Sequence, residues 1–228
     1  MSYRTRGRII GALFLAAFVF YGVGSLLVES VAGDDHVRVA VDEHSTRLVS
    51  GAAMMLINSA IVIAIGVLAH DVLRRRWPTV ALVYLIARVF EGGMLAVGVV
   101  FVLLLAPDTQ LAAGVNEALV NMIYAGNDIA YQIAMIGLGI GSVLFCWALY
   151  QDRYVARPLA LWGLVGYPIF MLGATLELFG IGVGVWVAIP GGLFEVALAV
   201  KLLIHGLPEP TVPRSAVQAV ADLSGALA

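Results

Sequence analysis

The sequence is poor in cysteine and in charge, and each shortage excludes a class of protein. Cys146 is the only cysteine, so the chain cannot close an internal disulfide and has no Cys-based zinc or redox motif. Only 12% of the 228 residues are charged, whereas soluble domains carry about a quarter. The formal net charge of -2 is too small to suggest a nucleic-acid partner, and no block of Lys and Arg follows a pattern for binding a nucleic-acid backbone. Hydrophobic residues make up 61% of the chain, so we expect it to fold in lipid.

The sequence also lacks the short motifs that mark common enzymes. It contains no GxSxG nucleophile turn, no HExxH zinc motif and no GxxxxGKS or GxxxxGKT phosphate-binding loop. His70 and His205 fall near the ends of apolar stretches, whereas a bis-His haem inside a bilayer needs ligands deeper in facing helices. We therefore predict no catalytic residue and no cofactor.

Six apolar stretches are long enough to cross a bilayer. A spanning helix needs roughly 20 mostly apolar residues, because each residue advances about 1.5 Å along the axis. The stretches are 9–28, 49–69, 79–106, 129–150, 159–181 and 185–204. None alternates in the manner of a membrane β-strand. The sequence therefore predicts an all-α fold, a polytopic integral membrane protein with a bundle of six transmembrane helices.

Basic residues lie mostly at one end of these stretches. Of the 13 Lys and Arg residues, ten precede the first stretch, occupy the second and fourth loops or lie toward the carboxyl end of the chain, where Lys201 and Arg214 stand. The first and third loops hold only Arg38 and Arg47, and Arg88 lies inside a stretch. The positive-inside rule then predicts that the N- and C-termini are both cytoplasmic. We expect residues 1–206 to form the transmembrane domain and the Pro-rich residues 207–228 to form a flexible cytoplasmic tail.

Glycine and proline predict how the helices pack. Gly137 and Gly141 form a GxxxG step in the fourth helix, and Gly180 and Gly184 form another at the outer end of the fifth. Packing inside the bundle is favoured over a dedicated dimer face for both steps. Pro190, followed by two glycines, predicts local unwinding in the outer half of the sixth helix.

Four polar residues lie near the predicted middle of their helices. An ionisable group at that depth costs about 2.5–3.5 kcal/mol on insertion scales, so it normally faces protein or water. Arg88 and Glu91 are three residues apart and share one helix face, while Glu195 and Asn58 lie at a similar depth. One guanidinium against two carboxylates leaves an excess proton site or a vacancy for a cation. Interhelical contact without a ligand is the commoner interpretation. The functional interpretation is a ligand-binding pocket formed by Arg88, Glu91, Glu195 and Asn58.

A second polar group lies nearer the predicted outer surface, where solvation or helix capping is favoured over a function. Its members are Asn127, Asp128, Gln132 and Glu177. The first outer loop also carries carboxylates beside imidazoles, namely Asp34, Asp35, His36, Asp42, Glu43 and His44. Such groups can hold a divalent cation, but their spacing matches no established zinc site, and we predict no metal.

These polar residues give the chain a resemblance to the bacterial membrane-protein family catalogued as domain of unknown function 4386. The resemblance extends from residue 8 to residue 206. It rests on the Arg-x-x-Glu step of the third helix, an acidic step that opens the fourth, and a closing group: Arg88, Glu91, Asn127, Asp128, Glu195, Lys201 and Gly206. Family members often carry His where this chain has Asn127, which weakens a metal or proton-relay role there. The resemblance implies six helices in a bacterial cytoplasmic (inner) membrane, and it implies no activity.

The favoured function is the binding or transport of a small amphipathic or lipid-like molecule in a polar intramembrane pocket. A non-catalytic structural or accessory subunit of a membrane complex is the alternative, and an intramembrane enzyme acting through the carboxylates comes third. The expected partners are membrane lipids and a small amphipathic ligand. Six helices are few for a secondary transporter, so a homo-oligomer remains open.

Overall fold

The computed structural model describes residues 2–32, 45–106, 117–183 and 185–208. These residues form six α-helices and no strand. The helices are α1 (Tyr3–Ala32), α2 (Ser45–Leu73), α3 (Pro78–Leu103), α4 (Glu117–Gln151), α5 (Arg157–Leu178) and α6 (Val185–His205). All six are long and apolar enough to cross a membrane, which confirms the predicted all-α, six-helix fold. The acidic residues of the first outer loop and the tail from residue 209 onward lie outside the described residues.

Proline and one hydrogen bond define the end of the bundle that carries most of the arginines. Pro78 and Pro158 stand in the first turns of α3 and α5, where the missing N–H has no intrahelical partner to lose. The indole Nε1 of Trp77 donates to Oδ2 of Asp152 at 2.8 Å, which joins the α2–α3 turn to the α4–α5 turn. Both turns therefore lie at one end of the bundle, which we call the arginine-rich end.

One helix is longer than its hydropathy predicts. α4 begins at Glu117 rather than at residue 129, so Asn127 and Asp128 lie within the helix and do not open it. The predicted start was wrong because the polar residues Asn127 and Asp128 lower the mean hydropathy of this stretch. Polar residues do not break a helix where their side chains face solvent. With 35 residues, α4 measures about 50 Å at about 1.5 Å per residue. It therefore extends beyond a hydrocarbon core of about 30 Å.

A second difference concerns α6, which is an unbroken helix through residues 190–192, so the predicted unwinding was wrong. Because Pro190 has no N–H, one backbone hydrogen bond is missing near the start of the helix. The remaining backbone hydrogen bonds keep the segment helical. The neighbouring glycine serves close packing instead. A Cβ atom added to Gly191 would lie 3.3 Å from Cβ of Phe170 on α5.

The helices are arranged as a closed ring. Each packs against its neighbours in the sequence, and α6 packs back against α1. The inward faces carry large buried side chains, including Tyr84, Tyr167 and Phe194. Large apolar side chains such as Leu26 and Val165 are exposed on the outside. A surface that exposes apolar side chains on every helix suits lipid as its solvent.

The predicted GxxxG step of α4 packs inside the bundle, as expected. A Cβ atom added to Gly137 would collide with the ring of Phe90 on α3, and one added to Gly141 would collide with the same helix. The second predicted step was wrong, because Gly180 lies beyond α5 with a φ of 75°. A left-handed glycine at that position ends a helix rather than packing against another. Gly184 lies outside the described residues.

Two glycines of α1 close the ring at the arginine-rich end. A Cβ atom added to Gly11 would lie 2.5 Å from the carbonyl oxygen of Ala199 on α6. One added to Gly7 would collide with the backbone at Leu207. The four-residue spacing puts both glycines on one face of α1. Small residues on that face therefore allow the close approach on which helix association in lipid depends.

Adjacent glycines in α3 provide a test of this packing. A Cβ atom added to Gly92 would lie 2.7 Å from the carbonyl oxygen of Ser59 on α2, whereas one added to Gly93 meets no atom within 4 Å. We expect Gly92→Ala to lower the free energy of unfolding by about 1–3 kcal/mol, because α2 and α3 must move apart. Gly93→Ala should leave stability unchanged or raise it by up to about 1 kcal/mol. Thermal unfolding of both variants in detergent checks the prediction, which equal midpoints would contradict.

Candidate functional site

Arg88 lies at the centre of a buried polar cluster inside the ring. Its guanidinium donates from Nε to the hydroxyl of Tyr84 at 2.9 Å and from Nη1 to Oε2 of Glu91 at 2.9 Å. It also donates from Nη2 to Oε1 of Glu195 at 3.4 Å. The centroids of the Phe14 and Tyr84 rings lie 5.1 and 5.2 Å from its Cζ atom, within cation–π range. Three acceptors and two rings thus surround one buried cation.

Helix spacing explains the part of this cluster that comes from α3. Tyr84, Arg88 and Glu91 follow one another at intervals of four and three residues, so their side chains share one face. A small residue on α2 makes room for the arginine, since a Cβ atom added to Gly66 would lie 2.7 Å from Cβ of Arg88. Glu195 belongs to α6, so its contact with the cluster depends on closure of the ring.

Glu195 connects α6 to both α3 and α5. Its Oε1 atom accepts the hydrogen bond from Arg88 and a second one, at 2.7 Å, from the hydroxyl of Tyr167 on α5. The side chain of Glu195 is 15% exposed, whereas that of Glu91 is 4% exposed. Glu195 is therefore the more exposed of the two carboxylates in the cluster.

Beside the cluster lies a cavity of about 420 Å³ lined by residues from all six helices. Arg88, Glu91, Glu195 and Asn58 form its polar wall. Aromatic side chains form much of the remaining wall, namely Phe14, Phe18, Tyr21, Tyr131, Tyr167 and Phe170. Small-molecule pockets in proteins measure about 300–1,000 Å³. The cavity is therefore large enough for a small ligand, and the four residues predicted for the central site all line it.

Asn58 contributes an unsatisfied acceptor to the cavity wall. It is 3% exposed, and its Oδ1 atom has no hydrogen-bond partner among the described residues. Buried side-chain oxygens nearly always have a partner, because leaving one unpaired costs about 1–3 kcal/mol. The amide oxygen of Asn58 is therefore an acceptor in the cavity wall that no donor of the described residues satisfies.

The cavity reaches the lipid-facing surface beside α1 and α6. Phe18, Ile189 and Leu193 line it and are also exposed on the outside of the ring. The seam between the two helices is tight at Gly11, as described above. At Gly192, in contrast, an added Cβ atom would meet only the ring of Phe18, at 3.9 Å. The seam is thus closed toward the arginine-rich end and wider at the level of the cavity.

Comparison with known proteins places the chain in a family. Residues 9–206 match the family described as Domain of unknown function (DUF4386). The chain belongs to this family. The match includes α2 to α6 in full and most of α1, and it confirms the resemblance drawn from the polar residues of the sequence. No curated protein and no solved structure matches the chain. A function for this DUF4386 member must accordingly be argued from its own site.

In this DUF4386 member the second predicted polar group does not form a single cluster. Asp128 and Gln132 pair along α4, where Nε2 of the glutamine donates to the aspartate at 3.2 Å. Asn127 faces α3, because a Cβ atom added to Gly98 would lie 2.7 Å from its Oδ1 atom. Glu177 accepts a hydrogen bond at 2.9 Å from the backbone N–H of Val183, in the turn between α5 and α6. These contacts serve helix surfaces and a turn, and a functional role for the group stays a prediction.

Two tyrosines of the central cluster were not predicted from the sequence. Tyr84 could have been found, because it stands four residues before Arg88 and shares its helix face. Tyr167 has no such signal, since it reaches Glu195 from another helix. Within the described ranges, no three His, Cys, Asp or Glu side chains are grouped so that they could hold a metal ion.

Proposed function

We propose that the protein binds a small amphipathic molecule in the central cavity, with a cationic or hydrogen-bond-donating end of that molecule directed at Glu195 and Asn58. The observation that carries the proposal is the buried, unpaired Oδ1 atom of Asn58 in a cavity that also exposes a carboxylate. A ligand with an ammonium group would donate a hydrogen bond to the amide oxygen and neutralise the carboxylate.

The charge balance of the cavity favours a donor over an acceptor. Two carboxylates face one guanidinium, and the Nε, Nη1 and Nη2 atoms of Arg88 each already donate to a protein acceptor. The polar wall therefore has more acceptor capacity than donor capacity left for a ligand. Aromatic rings around the same space add negative faces that attract a cation. An amine or ammonium group suits this wall better than a carboxylate or phosphate.

The opening beside α1 and α6 favours a ligand with an apolar part. Exposed Phe18, Ile189 and Leu193 give an apolar rim at the level of the cavity. A molecule dissolved in the bilayer would reach the cavity through this rim without crossing water. We place the protein in the bacterial cytoplasmic membrane with its arginine-rich end in the cytoplasm, as its basic residues predict.

An accessory, non-catalytic role is the second candidate, and one observation favours it. Arg88, Glu91 and Glu195 pair with one another across α3 and α6, as a purely structural cluster would. A purely structural role, however, explains neither the cavity beside the cluster nor the unpaired amide oxygen of Asn58. Ligand binding accounts for all three features together, so we favour it.

Titration with three amphiphiles of equal chain length tests the proposal. We expect dodecylamine to bind the detergent-solubilised protein more tightly than dodecanol or dodecanoate, as measured by native mass spectrometry. Glu195→Gln should weaken amine binding by about ten- to a hundredfold, because a hydrogen bond to a charged group contributes about 1.5–3 kcal/mol. Glutamine keeps an oxygen that Tyr167 and Arg88 can contact, so the variant should remain folded.

Two further variants make the result specific. Asp128→Asn removes an exposed carboxylate from α4, outside the cavity, and should leave amine binding unchanged. Gly192→Leu places a side chain at the apolar rim and should weaken binding of every amphiphile that enters there. Equal binding of the three amphiphiles would argue for the accessory role instead. So would undiminished amine binding by both Glu195→Gln and Gly192→Leu.

A further inference from the structure

A second cavity lies at the arginine-rich end, well away from the central one. It measures about 920 Å³ and lies between the start of α1, the α4–α5 turn and the end of α6. Five basic side chains line it: Arg4, Arg153, Arg157, Lys201 and His205. Among the residues that the structure describes, no carboxylate belongs to its wall. Three separate parts of the chain therefore direct positive charge into one space.

These cations differ from the other basic residues at the same end. Arg6 and Arg74 pair with Asp71, and Arg76 pairs with Asp152. Among the described residues, no carboxylate forms an ion pair with the arginines or the lysine of the cavity. An excess of arginine follows from membrane topology alone, but topology does not require that the unpaired cations share a cavity.

Lys201 and the start of α5 add fixed donors to this space. The Nζ atom of Lys201 donates to the carbonyl oxygens of Tyr154 at 2.8 Å and Gly206 at 3.4 Å, so the ammonium group is held in place. α5 begins here, and its N-cap residue Ala156 makes no side-chain capping bond. The first N–H groups of a helix attract anions, especially phosphate.

Exposed apolar side chains adjoin the basic cavity. Leu161 lies one turn after Arg157 on the same face of α5 and is 47% exposed. Ile204, next to His205 on α6, is 58% exposed. A ligand whose phosphate occupies the cavity could therefore lay acyl chains along α5 and α6. That arrangement fits a lipid better than free phosphate.

We propose that this basic cavity binds the phosphate headgroup of an anionic phospholipid at the arginine-rich end of the bundle. Arginine is suited to the task, because its planar donors match phosphate oxygens in pairs. Basic pockets between transmembrane helices bind anionic headgroups in this manner. The site uses none of the residues of the central cavity and does not depend on the function proposed for it.

Lipid titration by native mass spectrometry tests the inference. The full-length protein, in a nonionic detergent, should bind phosphatidylglycerol more tightly than phosphatidylcholine with identical acyl chains. The double variant Arg153→Gln, Arg157→Gln should weaken phosphatidylglycerol binding by about thirtyfold, given the usual contribution of two basic residues near an anionic surface. Both arginines are exposed, so the variant should keep the unfolding midpoint of the wild-type protein.

A matched control distinguishes the effect of the arginines in the cavity from the effect of positive charge elsewhere at the same end. Arg74→Gln, Arg75→Gln removes the same charge from the same end but outside the cavity, and it should leave lipid binding unchanged. Equal losses in the two double variants would overturn the proposal. So would equal affinity for the two lipids, or complete displacement of phosphatidylglycerol by excess inorganic phosphate, which would show that free phosphate is the preferred ligand.

Discussion

Arg88→Met is expected to lower the free energy of unfolding by about 3–5 kcal/mol, the usual cost of removing one partner from a buried ion pair. The guanidinium bonds two carboxylates and one tyrosine, and 2% of its side chain is exposed. Methionine fills similar space but donates nothing. Glu91 and Glu195 would then face each other's charge without compensation. Thermal unfolding in detergent, followed by fluorescence and size-exclusion chromatography, measures the loss.

Charge-matched variants show whether the loss is electrostatic. Adding Glu91→Gln and Glu195→Gln to Arg88→Met removes both unpaired carboxylates and should restore most of the stability. Glu91→Gln alone should cost less than Arg88→Met, because Arg88 retains Glu195. Arg75→Met, in the exposed α2–α3 turn, should leave the unfolding midpoint unchanged. A stable Arg88→Met protein would mean that the cluster contributes little to folding.

The helices could be predicted from the sequence because lipid imposes a requirement that hydropathy records directly. Each span must be long, apolar and hydrogen-bonded within itself. The predicted centres of all six helices agree with the structure, whereas the start of α4 does not, because the polar residues around Asp128 remain helical on an exposed face. The unwinding predicted at Pro190 was wrong for a related reason. One missing hydrogen bond near a helix start does not unwind a helix that packs closely on α5.

Part of the candidate site could also be predicted, namely the part with a local signal. The three-residue spacing of Arg88 and Glu91 predicts their contact. For Glu195 the only signal is its depth within the predicted span. The tyrosine of α5 and the closure of α1 on α6 depend on which helices become neighbours in the ring. No sequence spacing encodes that choice. Glycine spacing is an ambiguous guide, since the step at Gly7 and Gly11 is used and the one at Gly180 ends a helix.

The closed ring explains how one chain can hold charge and open space together in a bilayer. The six helices pack in a ring, and side chains from all six line the space that remains at its centre. The paired cluster occupies one side of that centre, and the cavity occupies the other. Each of the three guanidinium nitrogens of Arg88 donates to a protein acceptor, whereas the amide oxygen of Asn58 has no donor among the described residues. Arg88 should therefore matter mainly for stability and Asn58 mainly for ligand binding, while Glu195 takes part in both, and substitutions of Arg88 and Asn58 should separate the two properties.

Asn58→Leu is expected to raise the stability of the ligand-free protein while it reduces the preference for an amine. The wild-type protein buries an amide oxygen that has no partner among the described residues, at a cost of about 1–3 kcal/mol. Leucine has no polar atom to satisfy, and the adjoining cavity of about 420 Å³ can accept its methyl groups. The unfolding midpoint should therefore rise. The preference for dodecylamine over dodecanol should shrink, because one acceptor of the polar wall is gone while Glu195 remains.

The neighbouring residue supplies the control for this opposite movement of stability and binding. Ser59 is buried as well, but its hydroxyl already donates to the carbonyl oxygen of Met55 at 3.3 Å. Ser59→Ala removes that bond and should neither stabilise the protein nor alter amine binding. If Asn58 served packing alone, its replacement by leucine would lower the unfolding midpoint and leave amine binding unchanged. With that result the amide would be structural and the central cavity would lose its ligand.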